Sequence, residues 1–138
     1  MHRDTRAACA QETLRILELG HYAAGDGRRV EIGDALRSAV ADTRLFALES
    51  LPAGDESAPR FATEITVVRQ TTLQALARLA AQSGGHLACL NFASAKNPGG
   101  GFLGGSQAQE ESLARSSGLY PCLLKEEKEH YAANRAQW

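Results

Sequence analysis

The sequence predicts an α/β fold with a parallel sheet, on three observations. "EITVVRQ" (64–70) is a β-branched run of the kind that buried strands use, and the largely apolar "HLACLNF" (86–92) reads as the next buried strand. Between them Leu73, Leu76, Ala77 and Ala80 recur at helical spacing and form one apolar stripe. Strand, helix and strand within about 30 residues make a βαβ unit, whose strands run parallel and whose crossover is right-handed.

The other elements follow in chain order. Residues 5–19, "TRAACAQETLRILEL", carry Ala7, Ala10, Leu14, Ile16 and Leu17 on one helical face, and Gly20 supplies the stop. "HYAAGDGRRVEI" predicts a small hairpin turning at Gly25-Asp26-Gly27, residues that tolerate positive φ. Asp34 is placed to cap a short helix through Val40, and 44–48 reads as a strand. "LPAGDESAP" (51–59) is a polar loop with two prolines. The piece before it is too small to hold a core alone, so residues 1–50 read as an extension packed on a core spanning 60–138 in one structural domain. Thr71 or Thr72 can cap the central helix, and Gly84-Gly85 ends it. A further helix starts near Gln109, and "KEEKEHYAANRAQW" predicts one more, solvated on most faces.

Composition narrows the function. A net charge of −1 with scattered Lys and Arg shows no basic stripe for a nucleic-acid duplex. The longest apolar run, "LACLNFASA", is far short of a membrane span, and charges interrupt the N-terminus, so no secretory signal is read. Cys9, Cys89 and Cys122 are odd in number and widely spaced, which opposes a disulfide framework or a zinc site and suits the cytoplasm. Cys122 and His130 lie eight residues apart, off one helical face, and have no evident third group to orient a nucleophile.

The chemistry concentrates in "FASAKNPGGGFLGGSQAQEESLARS" (92–116), beyond the carboxyl end of the second predicted strand. Gly99, Gly100, Gly101, Gly104 and Gly105 remove side chains where backbone approaches a ligand or φ turns positive. No Gly-Lys pair exists, which excludes a Walker A loop. Gly99-x-Gly101-x-x-Gly104 formally matches the dinucleotide fingerprint, but Pro98 and several residues separate it from the strand. Glu110 and Glu111 would suit the dipole of their helix's first turn. Adjacent helical residues diverge by about 100°, so at least one of the two can face the loop. A carboxylate there repels an anion yet accepts well from sugar hydroxyls, and a carboxyl group can protonate a glycosidic oxygen. The site therefore reads as bipartite: bare backbone for a diphosphate, acids for a ribose. Asn97 is placed either to bond the same sugar or to make an Asx turn before Pro98.

These residues carry a resemblance. "GGG" at 99–101, seven intervening residues and "QEE" at 109–111 resemble the signature of poly(ADP-ribose) glycohydrolases. "ETLRILELGHY", "GRRVEI" and "SSGLYPCL" are similar to the shorter, bacterial type of that family. The resemblance implies a macrodomain-like mixed sheet with a parallel βαβ core and an N-terminal helical extension, incomplete at the C-terminus. It implies that Gly99, Gly100 and Gly101 approach the diphosphate and distal ribose of ADP-ribose, with Gln109 beside them. Glu110 would hold ribose hydroxyls, Asn97 would orient that ring, and Glu111 would be the catalytic acid. The implied reaction is hydrolysis of the ribose–ribose O-glycosidic bond of poly(ADP-ribose), releasing ADP-ribose with no metal and no cofactor. The implied partners are ADP-ribose and poly(ADP-ribose) chains on modified proteins, with no membrane and no nucleic-acid duplex. The family continues past the position of Trp138, so the chain reads as an N-terminal half or a shortened member, with room for a second chain that completes the fold. The second reading is a non-catalytic ADP-ribose-binding module or an inactive truncated fragment.

Overall fold

Helix α1 (Arg3–Leu19) ends where the sequence places its stop. Gly20 takes the left-handed conformation, φ 72°, and its N–H reaches back to the Ile16 carbonyl at 2.9 Å. The chain then turns into β1 (His21–Ala23) and β2 (Arg29–Glu31), an antiparallel pair in which Tyr22 faces Val30. Gly27, at φ 81°, lies in the connecting turn. The computed structural model describes residues 1–46, 62–82, 84 and 86–137.

Two compact units divide the chain, residues 1–45 with 90–138 and residues 46–89. The first holds α1, the hairpin, α2 (Gly33–Asp42), α4 (Gln109–Ser116), α5 (Leu119–Lys125) and α6 (Ala132–Ala136). Helix α2 starts directly at Gly33, because the Ile32 N–H is already tied to the Gly20 carbonyl at 2.8 Å. Asp34, expected as its cap, therefore sits in the first turn and bonds Arg37. The core of this unit is small: Ala10, Phe102 and Ala114 are fully buried, with Leu14 and Tyr120 packed against them. Alanine on both α1 and α4 lets the two helices approach closely, and the Thr13 hydroxyl donates to the Arg115 carbonyl at 2.7 Å. Lys125 donates to the carbonyls of Ala41 and Thr43, closing the end of α2.

The second unit contains α3 (Thr72–Gln82). Its start is a reciprocal capping box, in which Thr71 Oγ1 accepts from the Gln74 N–H and Gln74 Oε1 accepts from the Thr71 N–H. Gly84 follows the helix in a bend.

The expected parallel pairing is not seen. Among the described residues the sheet has two strands, β1 and β2, and it is antiparallel. Residues 64–70 and 86–92 run outside regular structure, and so do 44–46 of the expected strand at 44–48. Positions 47 and 48, the loop at 51–59 and Gly85 lie outside the described residues. The physical reason is that a strand exists only through its ladder. Ile65 and Val67 are 85% and 94% exposed, so the β-branched run has no buried face here. At the far end, "KEEKEHYAANRAQW" forms a turn of π-helix, Glu127–Tyr131, that runs into α6. No helix of the described residues is long and apolar enough to cross a membrane.

Candidate functional site

The glycine-rich segment is shaped by its own sequence before any other element touches it. The Ser94 hydroxyl accepts from the N–H groups of Lys96 and Asn97, a serine turn. Asn97 to Gly100 then makes a β-turn closed by the Gly100 N–H on the Asn97 carbonyl at 2.9 Å. Pro98 at its second position and Gly99, φ 70°, at its third are the residues a type II turn demands. Gly100 continues with φ 59°, and Phe102–Gly104 closes into a single 3₁₀ turn. Phe102 roots the loop. Its ring is fully buried and meets Tyr120 edge-on at 4.8 Å.

Glu110 and Glu111 face this loop, and neither caps its own helix, whose N-cap Ala108 has no side-chain partner. Glu110 is 3% exposed. One of its oxygens accepts from the Ser94 N–H at 2.7 Å, the other from the Gly99 N–H at 3.1 Å. Glu111 is half-buried, and its Oε1 accepts from the Gly101 N–H at 3.1 Å. Among the described residues no hydrogen bond reaches its Oε2. A Cβ at Gly100 would lie 2.5 Å from Glu111 Oε1 and 3.2 Å from Glu110 Oε2, so glycine is required for the carboxylates to come this close. The loop and the two acids are one assembly.

Gln109 holds the approach to that assembly. Its Oε1 accepts from the Phe92 N–H at 2.7 Å and its Nε2 donates to the Leu90 carbonyl at 2.8 Å, two bonds that imitate a strand neighbour. Asn97 is exposed at the tip of the β-turn, where its carbonyl closes the turn. Asn97, Gly99, Gly100, Gly101, Gln109, Glu110 and Glu111 thus fall within one loop and the helix it feeds.

Several contributors carry no sequence signal of their own. Asn134 donates to the Ala95 carbonyl at 3.0 Å and Arg135 to the Lys96 carbonyl at 2.8 Å. Tyr131, 2% exposed, has its phenol held above its ordinary pKa by burial, with the nearby charges of Glu110 and Glu127 adding to the effect. The charged tail reads as a solvated helix, and only its buried aromatic could have marked it as part of the site. Gly104, Gly105 and Ser106 present successive carbonyls to Arg3, Arg6 and Arg115. The Arg3 and Arg6 contacts, 101 and 99 residues apart in sequence, leave no trace in local spacing. An apolar cavity of about 720 Å³ between α1, α2 and α5, with Leu17, Leu36 and Cys122 in its wall, includes neither glutamate.

The microbial-type PARG catalytic domain matches residues 10–138. The chain belongs to that family. The crystal structure of poly(ADP-ribose) glycohydrolase (PARG) from Thermomonospora curvata is 48% identical and superimposes with a TM-score of 0.84, covering 97% of this chain and 50% of that one. The same organism's PARG bound to the inhibitor ADP-HPD is similar at 45% identity and a TM-score of 0.84, covering 97% and 48%. A glutamate-to-alanine mutant of the Thermomonospora curvata PARG gives 48% identity and a TM-score of 0.89, covering 97% and 48%. No curated protein matches the chain. The chain spans about half the length of the PARG structures it matches.

Proposed function

We propose that this PARG-family chain carries the acid-bearing part of a site that hydrolyses the ribose–ribose O-glycosidic bond of poly(ADP-ribose) and releases ADP-ribose. The observation that supports it best is the pairing of Glu111 with the loop. One carboxyl oxygen is fixed by the Gly101 N–H while the other is free of protein hydrogen bonds among the described residues. A group positioned through one oxygen can exchange a proton through the other. In the forward step the Glu111 carboxyl gives its proton to the bridging oxygen as the bond to the anomeric carbon breaks, and the sugar passes through an oxocarbenium-like state. The resulting carboxylate takes a proton from the attacking water, whose oxygen bonds the anomeric carbon. Glutamate and proton return to their starting state.

The remaining residues bind and orient. Gly99, Gly100 and Gly101 give the diphosphate and distal ribose an approach free of side chains, and Asn97 orients that ring. Glu110 spends one lone pair of each oxygen on the loop and offers the others to ribose hydroxyls. Gln109 keeps residues 90–92 in register with the acids. That reading is supported by the ADP-HPD complex of the similar PARG. A second reading is an ADP-ribose binder without turnover, which would use the same loop and the Glu110 carboxylate held against it.

The test is to incubate the purified chain with labelled poly(ADP-ribose) beside Glu111→Gln. ADP-ribose release by the parent alone supports catalysis. Binding by both without release supports the binder, and the absence of both binding and release overturns the assignment.

A further inference from the structure

Three consecutive carbonyls on the far limb of the loop each accept from a different arginine. Gly104 O takes Arg3 Nε at 2.8 Å, Gly105 O takes Arg6 Nε at 2.7 Å, and Ser106 O takes Arg115 Nη1 at 2.8 Å. Arg3 and Arg6 project from the first turn of α1, whereas Arg115 stands one turn beyond Glu111 on α4.

A planar trans peptide points its C=O and its N–H to opposite sides, so holding a carbonyl also aims the next N–H. The two inner N–H groups aimed in this way are those of Gly105 and Ser106. They donate to Phe102 O at 3.0 Å and to Gly101 O at 3.1 Å. Gly101 in turn donates its own N–H to Glu111. A mechanical chain therefore runs from the arginines through the far limb to Gly101 and the acid.

The fit leaves no slack. Gly105 lies at φ 74°, and a Cβ there would come within 2.2 Å of the Arg3 carbonyl oxygen, so α1 rests directly on the loop backbone. Two of the cations also oppose each other. The Arg115 guanidinium is held below its ordinary pKa by burial and then by the charge of Arg6, with Glu111 and Cys9 acting in the other direction. Like charges kept together behind a bare loop raise the positive potential of the surface where a diphosphate would lie.

We infer that Arg3, Arg6 and Arg115 are positioning residues, a carbonyl clamp through which α1 sets the glycine loop and the Glu111 carboxyl for an anionic nucleoside-diphosphate sugar. The inference rests on the proposed function for its ligand, but the clamp can be measured without one.

The experiment uses the full chain as Arg6→Met and Arg115→Met, which keep the apolar stem and remove the donors. Arg6→Lys keeps the charge with a single head group. Arg15→Met serves as control, since Arg15 stands on α1 exposed and, among the described residues, paired only with Glu12. Amide exchange is followed by NMR at Gly101, Gly105 and Ser106, ADP-ribose affinity by titration calorimetry, and α1 content by circular dichroism. Both Met variants should speed exchange at these amides about tenfold or more and raise the Kd for ADP-ribose on the same scale, the loss expected for a hydrogen bond to a charged donor. Arg6→Lys should recover part of the affinity, and Arg15→Met should change neither quantity, with helix content constant throughout. Exchange unchanged in the Met variants overturns the clamp. So does faster exchange with unaltered affinity, or an equal loss of affinity in Arg15→Met. If the parent binds no ADP-ribose, the proposed function falls, and the exchange rates still decide whether the clamp exists.

Discussion

Gly101 donates its N–H to Glu111 Oε1 at 3.1 Å, and a side chain one residue earlier, at Gly100, would bring its Cβ to 2.5 Å from that same oxygen. Gly100→Ala sets the two against each other. The carboxylate is the end of a flexible side chain, so it can swing away at little steric cost, but it then leaves the Gly101 amide. The positive φ of Gly100 adds about 1–2 kcal/mol of strain. The expected outcome is a modest fall in thermal stability with turnover of poly(ADP-ribose) lost out of proportion. Loss of activity that merely tracks the melting temperature would remove the argument for a placed acid.

Glu110 occupies the opposite case, buried and with each of its oxygens held by a loop N–H. Glu110→Ala leaves the Ser94 and Gly99 N–H groups without their acceptor. Stability should drop by about 1–3 kcal/mol, the cost of stranding buried donors, and ADP-ribose affinity should weaken on the same scale. Glu110→Gln should recover only part, because its NH₂ would confront one of the two donors. Urea midpoints and calorimetric titration measure both quantities. A neutral Glu110→Ala would show that the loop holds its shape unaided.

Much of this was legible in the sequence, for physical reasons that differ from residue to residue. Gly20 stops α1 because a left-handed C-terminal residue needs no neighbour to justify it, and Thr71 with Gln74 makes a capping box from four adjacent residues. The grouping of Gly100, Gly101 and Glu111 was equally local, a loop feeding a helix. The parallel sheet that the sequence predicts is not seen among the described residues, since "EITVVRQ" states a preference that only a partnered edge can realise, and Val67 here is exposed. Arg3, Arg6 and Asn134 were missed for a related reason. Their acceptors are main-chain carbonyls, which carry no sequence mark at all.

Gly105→Ala should be more damaging to folding than Gly100→Ala, although both glycines have positive φ. At Gly105 the obstacle is the main-chain oxygen of Arg3, 2.2 Å from the added carbon, and backbone within a helix cannot move aside as a side chain can. Strain and overpacking together put the loss at about 2–5 kcal/mol. Parallel thermal melts of the two variants test the order, and a smaller effect at Gly105 would mean that α1 does not rest on the loop.

Tyr131 gives the fold an alkaline limit. Burial raises its pKa above the ordinary value of 10.0, and the charges of Glu110 and Glu127 act in the same direction. In this window the folded chain therefore holds the phenolic proton more tightly than the unfolded chain, so stability falls as pH rises. The contribution is complete below the unfolded value, begins to fade at about pH 10, and is lost as pH passes the folded value. Tyr131→Phe removes the ionisation while keeping the ring. Its stability should decline less steeply than the parent's above about pH 10, and the two slopes should agree near neutrality. Urea midpoints across the alkaline range give the comparison. Parallel curves there would mean that the phenol ionises as freely in the folded chain as in the unfolded one.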